Sequence, residues 1–403
     1  MLGATIRIAQ RMGIHDESAN SKYPALEAEL RRRLWWSLVL FDARISEMAD
    51  FRLGLLLPTW DCKLPTNAND FDFRPEMKTP PDVHSVTSEA LFAVVRSEFG
   101  DFLRHCSFHL DFINPALKSI AKSRSSALGT DSDELSSFER MIEGKYLRHC
   151  EPQNPLHFMT IWWSRGQLAK SHFVKFLSDC GRTPAQPTDA QRDAGIAHAL
   201  SMIECDTKIM SQKHLKMYRW LIYLNFPFPA YVHVAQDLRK RPLSAHAQVA
   251  WKTMSENSAV RFVDVDARER HTETKGNIFF KLFAGIVFQA WAARQTATAH
   301  MESYAAETPP QIVTQIKQKM EQMEEKTLSG GGMHYDDNGV DIGGSDPSMS
   351  IGLHVDSSYG IDHGLIGMQH GYTAFGEENP MGFNAHSWGW PTTNFHPMLG
   401  QGW

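Results

Sequence analysis

EAELRRRLWWSLVLFDARIS, the stretch from Glu27 to Ser46, decides the fold. It follows Pro24, which suits the first turn of a helix, and belongs to a segment running to about Phe51. Leu26, Leu30, Leu34, Leu38, Phe41, Ile45 and Met48 recur there at intervals of three or four residues. That spacing draws one apolar stripe along an α-helix and predicts the face that packs on the core. Trp35 and Trp36 add bulk to the flanks of the stripe and are expected inside. Arg31, Arg32 and Arg33 point in successive directions about 100° apart, so they cannot share one groove. A solvated face with ion pairs to Glu27, Glu29 or Asp42 is expected of them, in preference to a nuclear-localisation or phosphate-binding patch.

Outward from this helix the same period recurs. Upstream, Ile6, Ala9 and Met12 keep helical spacing until Gly13, which suits the left-handed position after a helix end. Downstream, from Gly54 to Pro81, Pro, Asn and Asp interrupt every period and predict extended chain and turns laid over the helices. Leu56, Trp60, Leu64 and Phe71 are the expected buried anchors of that segment. Further helices are expected from Ser85 to Phe99, Gly100 to Ile113, Glu139 to Cys150, His157 to Leu177 and Asp189 to Gln212. Met217 to Arg239 follows, broken or kinked at Pro227 and Pro229, then Ser244 to Met254, Asn277 to Thr298 and Pro310 to Lys326. No strand is read, nor any repeat of about 20 to 50 residues. The expected fold is all-α: packed antiparallel helices over residues 1–328, interrupted by a polar linker at about 118–137. Residues 329–403 hold 16 of the 27 glycines, and backbone entropy predicts a disordered tail there.

With 403 residues and 42% apolar content the chain can fill a sizeable core, and its formal charge of −5 makes no case for nucleic acid or an anionic membrane. The charge is unevenly spread, because no Lys or Arg follows Lys326 while eight acidic residues do. The five cysteines, Cys62, Cys106, Cys150, Cys180 and Cys205, stand 25 or more residues apart, unlike metal-binding pairs or disulfide scaffolds. Free thiols in a reducing compartment are expected. Neither a signal peptide nor a membrane span is read.

Chemistry-bearing patterns are few. His105 and His109 could share a helix face but lack the carboxylate of an HExxH motif. Asp336, Asp337 and Asp341 superficially resemble a magnesium-binding cluster, yet lie in Gly-rich chain that cannot hold ligands rigidly. No phosphate loop follows a strand, and no Gly-x-Ser-x-Gly elbow occurs. No catalytic, cofactor-binding or metal-binding residue is therefore assigned. In the tail, acids alternate with Tyr335, Tyr359, Tyr372, Phe375, Phe383, Trp388, Trp390, Phe395 and Trp403. Such a composition keeps aromatics solvated yet free to enter a partner's groove, as activation segments do; Trp388, Trp390 and Phe395 are its candidates, and an inert terminus is the alternative.

Taken together, the helix ending at MGIH, the Arg-rich turn with Arg31, Arg32 and Arg33, the pair Trp35-Trp36, and then Asp42 and Ser46 resemble the fungal-specific transcription factor domain. This is the regulatory middle region of fungal zinc-cluster transcription factors. Asp61-Cys62-Lys63-Leu64-Pro65, Asn67, Asn69-Asp70 and Asp72 resemble the stretch that closes its first part. Glu143 to Cys150, Pro155-Leu156-His157, Trp220, Phe226 to Ala230, Leu238 to Pro242 and Ala250-Trp251 resemble its later helices. Where the family often has Gly-Arg-Pro, this chain has Phe51-Arg52-Leu53. The family domain normally begins with helices upstream of what is residue 1 here, so an N-terminally truncated chain is expected. The resemblance implies a nuclear regulator of RNA polymerase II transcription, controlling a secondary-metabolite or nutrient-use gene cluster. Coactivators are its implied partners, and homo- or heterodimers its implied assembly. DNA would be reached only through a missing segment or a partner, and zinc is implied only in such a missing six-cysteine cluster. The alternatives are a zinc-cluster-less co-regulator and, more remotely, a helical small-molecule binder or enzyme.

Overall fold

Leu2–Arg11 forms α1, which stops as its glycine requires: Gly13 has φ +69°, its amide bonds to the carbonyl of Gln10, and the Ile14 amide bonds to that of Ala9. A short helix, α2 (Glu17–Asn20), is capped by the Asp16 side chain, and α3 (Ala25–Met48) follows. The computed structural model describes residues 1–48, 56, 59–81, 87–113, 131–182, 186–262, 278–299 and 307–329. Among them are thirteen α-helices and no strand, so the fold is all-α. The expected tail at 329–403 lies outside the described residues beyond residue 329.

Two long helices form the spine. α7 (Pro155–Arg182) starts with proline in its first turn, where the Asn154 side chain accepts the amides of Leu156 and His157. α8 (Asp189–Met210) starts at a reciprocal capping box between Thr188 and Gln191. They pack along each other and separate two cores. On one side, α4 (Leu91–His105), α5 (Ser107–Ile113) and α6 (Asp131–Lys145) bury Phe99, Phe108, Phe138 and Ile142 against Met159 and Trp163. On the other, α10 (Phe228–Lys240), α11 (Ala247–Phe262), α12 (Ile278–Ala299) and α13 (Gln311–Ser329) bury Tyr231, Trp251 and Trp291 against Phe173 and Ile203. Between α8 and α10, α9 (Arg219–Leu224) ends before Pro227 and Pro229, which split the expected Met217 to Arg239 segment; Pro229 falls in the first turn of α10.

Several expectations are corrected. The break between α4 and α5 is at Cys106, which is extended, and not at Gly100. Gly100 lies inside α4, where a Cβ would approach Leu40 and Trp36 at 3.2 Å. α6 begins at Asp131, within the segment 118–137 expected as a linker, and Leu135 is buried there; 114–130 lies outside the described residues. Phe71 is exposed, and Phe73 is the buried anchor in its place. The largest correction concerns α3, whose Leu30, Leu34, Phe41 and Ile45 are exposed. Its buried face carries Glu29, Arg32, Trp35, Trp36, Leu38, Val39, Asp42, Ser46 and Glu47.

Candidate functional site

The buried charges of α3 explain that inversion, because they meet a chain laid across the helix. Arg32 pairs with both carboxylate oxygens of Glu17 and lies 3.8 Å from Glu29. Glu17 accepts the Lys63 amide at 3.0 Å, and its own amide donates to Asp61 at 2.9 Å. Glu29 accepts the Thr66 amide with both oxygens and the Arg33 Nε at 3.0 Å; Arg33 reaches on to Asp70 at 2.6 Å. Asp42 accepts the Leu56 amide at 3.1 Å, and the Trp36 indole donates to the Lys63 carbonyl at 2.9 Å. Backbone amides that no sheet or helix satisfies are thus satisfied by carboxylates of α2 and α3. Burial raises the Glu17 pKa, but Arg32 and the Lys63 amide outweigh it and hold the carboxyl below its ordinary value. Trp60 inserts edge-on against Trp35 and Trp36 with ring centroids 5.7 and 6.2 Å away, and Arg104 of α4 stacks over Trp60 at 4.7 Å. The enclosed Cys62 thiol is pushed up to about 12 by burial and is an inert core group.

A second polar assembly lies where the end of α3 meets the spine. Glu47 pairs with Lys170 of α7 and with Arg44 at 2.7 Å, and Arg44 donates to the Leu224 carbonyl at the end of α9. Burial would raise the Glu47 pKa, yet Arg44 and Lys170 bring it to about 2. Burial takes His109 the other way, to about 4, helped by the charge of Lys170. Arg44, Glu47 and Lys170 border a cleft of about 530 Å³, open mouth included, with Trp162, Phe226 and Pro227 on its walls. Arg44 Nη2 is buried and has no hydrogen-bond partner among the described residues. Asp206, which also lines the cleft, takes Arg261 with both oxygens and Asn257 at 2.7 Å, and Tyr231 donates to Asn257 at 2.7 Å.

The structure therefore brings Arg32, Arg33, Trp35, Trp36, Asp42, Asp61 and Asp70 into one clamp with residue 56 and residues 59–70. Leu64 and Pro65 pack within the same segment, Leu64 against the tryptophan cluster. Arg31 stands apart, paired with Glu27 at 3.2 Å, lying over Tyr23, and donating to the Met12 carbonyl. The predicted partners Glu27 and Glu29 are correct for Arg31 and Arg33, but Arg32 is buried and not solvated. Sequence reasoning missed Glu17, Glu47, Lys170, Asp206 and Arg261. Their one signal was a charged residue at a helical position otherwise facing the core. His105 and His109 fall on different helices, and the described residues include no group of three or more His, Cys, Asp or Glu able to hold a metal. No described helix is long and apolar enough to cross a membrane. Trp388, Trp390 and Phe395 lie outside the described residues.

The clamp coincides with a recognised sequence family, since residues 1–143 match the model of the fungal specific transcription factor domain. Residues 1–143 are a fungal specific transcription factor domain. The chain is also 51% identical over 324 residues to the transcriptional regulator AacuB of Aspergillus aculeatus, covering 80% of this chain and 43% of that protein. It is 44% identical over 337 residues to the transcriptional regulator nsrM of Aspergillus novofumigatus, covering 83% and 43%. The aurofusarin cluster transcription factor aurR2 of Gibberella zeae is 27% identical over 305 residues, covering 74% and 42%. The chain thus spans under half the length of these relatives. No solved structure matches. Within residues 1–143, Arg32, Arg33, Trp36, Asp42 and Asp61 hold α2 and α3 to the segment that crosses them.

Proposed function

We propose that the chain is the regulatory helical body of a fungal transcription factor, acting in the nucleus on RNA polymerase II transcription of a secondary-metabolite gene cluster. One observation carries the reading: identity of 51% to a named transcriptional regulator persists over 324 residues, far past the 143 of the domain itself. The cluster assignment draws on the relative named as a cluster transcription factor. A regulator of this kind is not an enzyme, and its clamp and buried ion pairs serve architecture. The 403 residues contain no six closely spaced thiolates for a binuclear zinc cluster. DNA is reached in this proposal through a segment outside these residues or through a DNA-binding partner, as a homo- or heterodimer. The acidic, aromatic residues beyond 329, with Trp388, Trp390 and Phe395, recruit coactivators.

The test is disruption of the gene in the fungus that encodes it, with transcript profiling, beside a fusion of the full chain to a heterologous DNA-binding domain. Loss of transcripts from one biosynthetic cluster and reporter activation by the fusion are expected. Unchanged cluster transcripts, with the protein outside the nucleus, overturn the reading.

A further inference from the structure

The cleft where the end of α3 meets the spine carries charges that do not balance. Arg44 and Glu47 of α3, Gln167 and Lys170 of α7, Asp206 of α8 and Asn225 after α9 belong to its lining. One carboxylate, Glu47, serves both Lys170 and Arg44. The other, Asp206, is taken by Arg261 with both oxygens. With Arg261 counted, three cations stand against two carboxylates. Little water reaches them, since the Arg44 and Glu47 side chains are 11% exposed and that of Lys170 is 26% exposed. Burial lowers the Lys170 ammonium below its ordinary pKa, and Arg44 adds to this against the pull of Glu47. Hydrogen bonding is incomplete as well. Arg44 Nε donates to the Leu224 carbonyl and Nη1 pairs with Glu47, which leaves the enclosed Nη2 without an acceptor among the described residues. A buried cation short of both counter-charge and acceptor is costly, and a bound anion supplies both.

The rest of the lining decides what that anion is attached to. Trp162, Met202, Ile222, Phe226 and Pro227 form apolar walls. Trp163 also lines the cleft, and the Arg96 guanidinium of α4 lies 5.8 Å from its ring centroid. Arg96 Nε is buried without an acceptor among the described residues, and burial lowers the group to about 10. Lys208 stands 5.8 Å from the ring centroid of Trp162. Cations thus flank the aromatic walls. A bare inorganic anion would leave those walls unused, and a neutral apolar molecule would leave the cations unanswered. At about 530 Å³, open mouth included, the cleft has the size of a small-molecule site, roughly 300–1,000 Å³.

We propose that this cleft binds a small aromatic monocarboxylate, its carboxylate on Arg44 and Lys170 and its ring against Trp162, Phe226 and Pro227. Such a ligand joins the end of α3 to α7, α8 and α9 through one set of contacts. The inference rests on the charge and lining of the cleft, so it stands or falls separately from the transcriptional reading.

Calorimetric titration of the full chain with cinnamate tests this, beside cinnamamide, its uncharged counterpart of nearly equal size, and acetate. Saturable binding of cinnamate is expected, about tenfold or more tighter than that of cinnamamide, because the acid alone forms charge-assisted hydrogen bonds through both oxygens. Lys170→Met should remove most of that preference. Glu47→Gln, which takes away the competing carboxylate, should instead tighten cinnamate severalfold. Gln167→Trp, which fills the cleft and leaves every charge in place, should abolish binding in a chain that still unfolds cooperatively. Equal affinity for acid and amide overturns the proposal, as does an acetate response matching that of cinnamate, which would mean an adventitious ion only. Unaltered cinnamate binding in Gln167→Trp overturns it by placing the ligand elsewhere, and so does the absence of saturable binding below about 1 mM.

Discussion

Arg32 shows how much one side chain can organise. Its guanidinium answers Glu17 and faces Glu29, and through those carboxylates it positions the amides of Lys63 and Thr66. Removing it would leave the buried Glu17 carboxylate without its guanidinium and Glu29 with Arg33 alone. Arg32→Met should therefore cost roughly 3–5 kcal/mol, measured by urea unfolding. Removing one of those charges too, in Glu17→Gln/Arg32→Met, should recover part of the loss, because less buried charge is then uncompensated. A wild-type midpoint in the single variant would show that the pair does not hold the crossing segment. Glycines give a sharper contrast. A Cβ at Gly195 of α8 would lie 2.5 Å from the Phe176 ring, whereas one at Gly144 of α6 meets nothing within 4 Å. Gly195→Ala should destabilise by about 1–3 kcal/mol through overpacking, and Gly144→Ala should stabilise by up to about 1 kcal/mol through helix propensity. Thermal unfolding of the two variants distinguishes them by sign.

At the scale of the element, α3 separates what period alone can tell from what it cannot. Its existence, its proline start and the burial of Trp35 and Trp36 followed from spacing and side-chain size. Which face turns inward did not. A hydrophobic ridge predicts a buried face only if the alternative face is costly to bury, and here Glu29, Arg32, Asp42 and Glu47 are repaid by partners 14 to 123 residues away. No local pattern carries those pairings, since they depend on Leu56 and residues 59–70 meeting the helix and on α7 packing against its end. Breaks with a backbone cause were readable: Gly13 by its positive φ, and Pro227 with Pro229 by a lost donor and fixed φ. Gly100 was misread because a glycine packed closely against Trp36 inside a helix looks, in sequence, like one that ends a helix. The inverted face makes its own prediction. Leu34→Ala should change stability by less than about 0.5 kcal/mol, as exposed positions do. Trp35→Ala, one residue along, should cost about 3–5 kcal/mol. Comparable losses at both positions in denaturant titrations would mean that the ridge is covered in the folded chain.

At the scale of the whole molecule, among the described residues, a charged contact between Glu47 and Lys170 ties the N-terminal clamp to the α7–α8 spine, reinforced by Arg44 and its bond to the end of α9. The Asp206, Arg261, Asn257 and Tyr231 assembly ties α8 to α10 and α11 in the same way, so burial of charge recurs wherever separate elements must hold a fixed relation. Such a tie has a pH signature with a definite sign. The folded Glu47 carboxyl titrates at about 2, against an ordinary 4.5, because Arg44 and Lys170 favour its ionised form. A group depressed in this way contributes stability that is fully present above its unfolded value and is lost as pH falls through the window from about 4.5 to 2. Stability should therefore drop across that window. Hydrogen exchange should show the C-terminal half of α3 losing protection ahead of the middle of α8, which is packed on both sides by the two cores. Glu47→Gln cannot make the same charge pair, so it should be less stable at neutral pH and show a shallower fall between pH 4.5 and 2. Parallel acid profiles for wild type and Glu47→Gln would assign the acid sensitivity to other carboxylates, Glu17 first among them, whose folded value Arg32 also holds down.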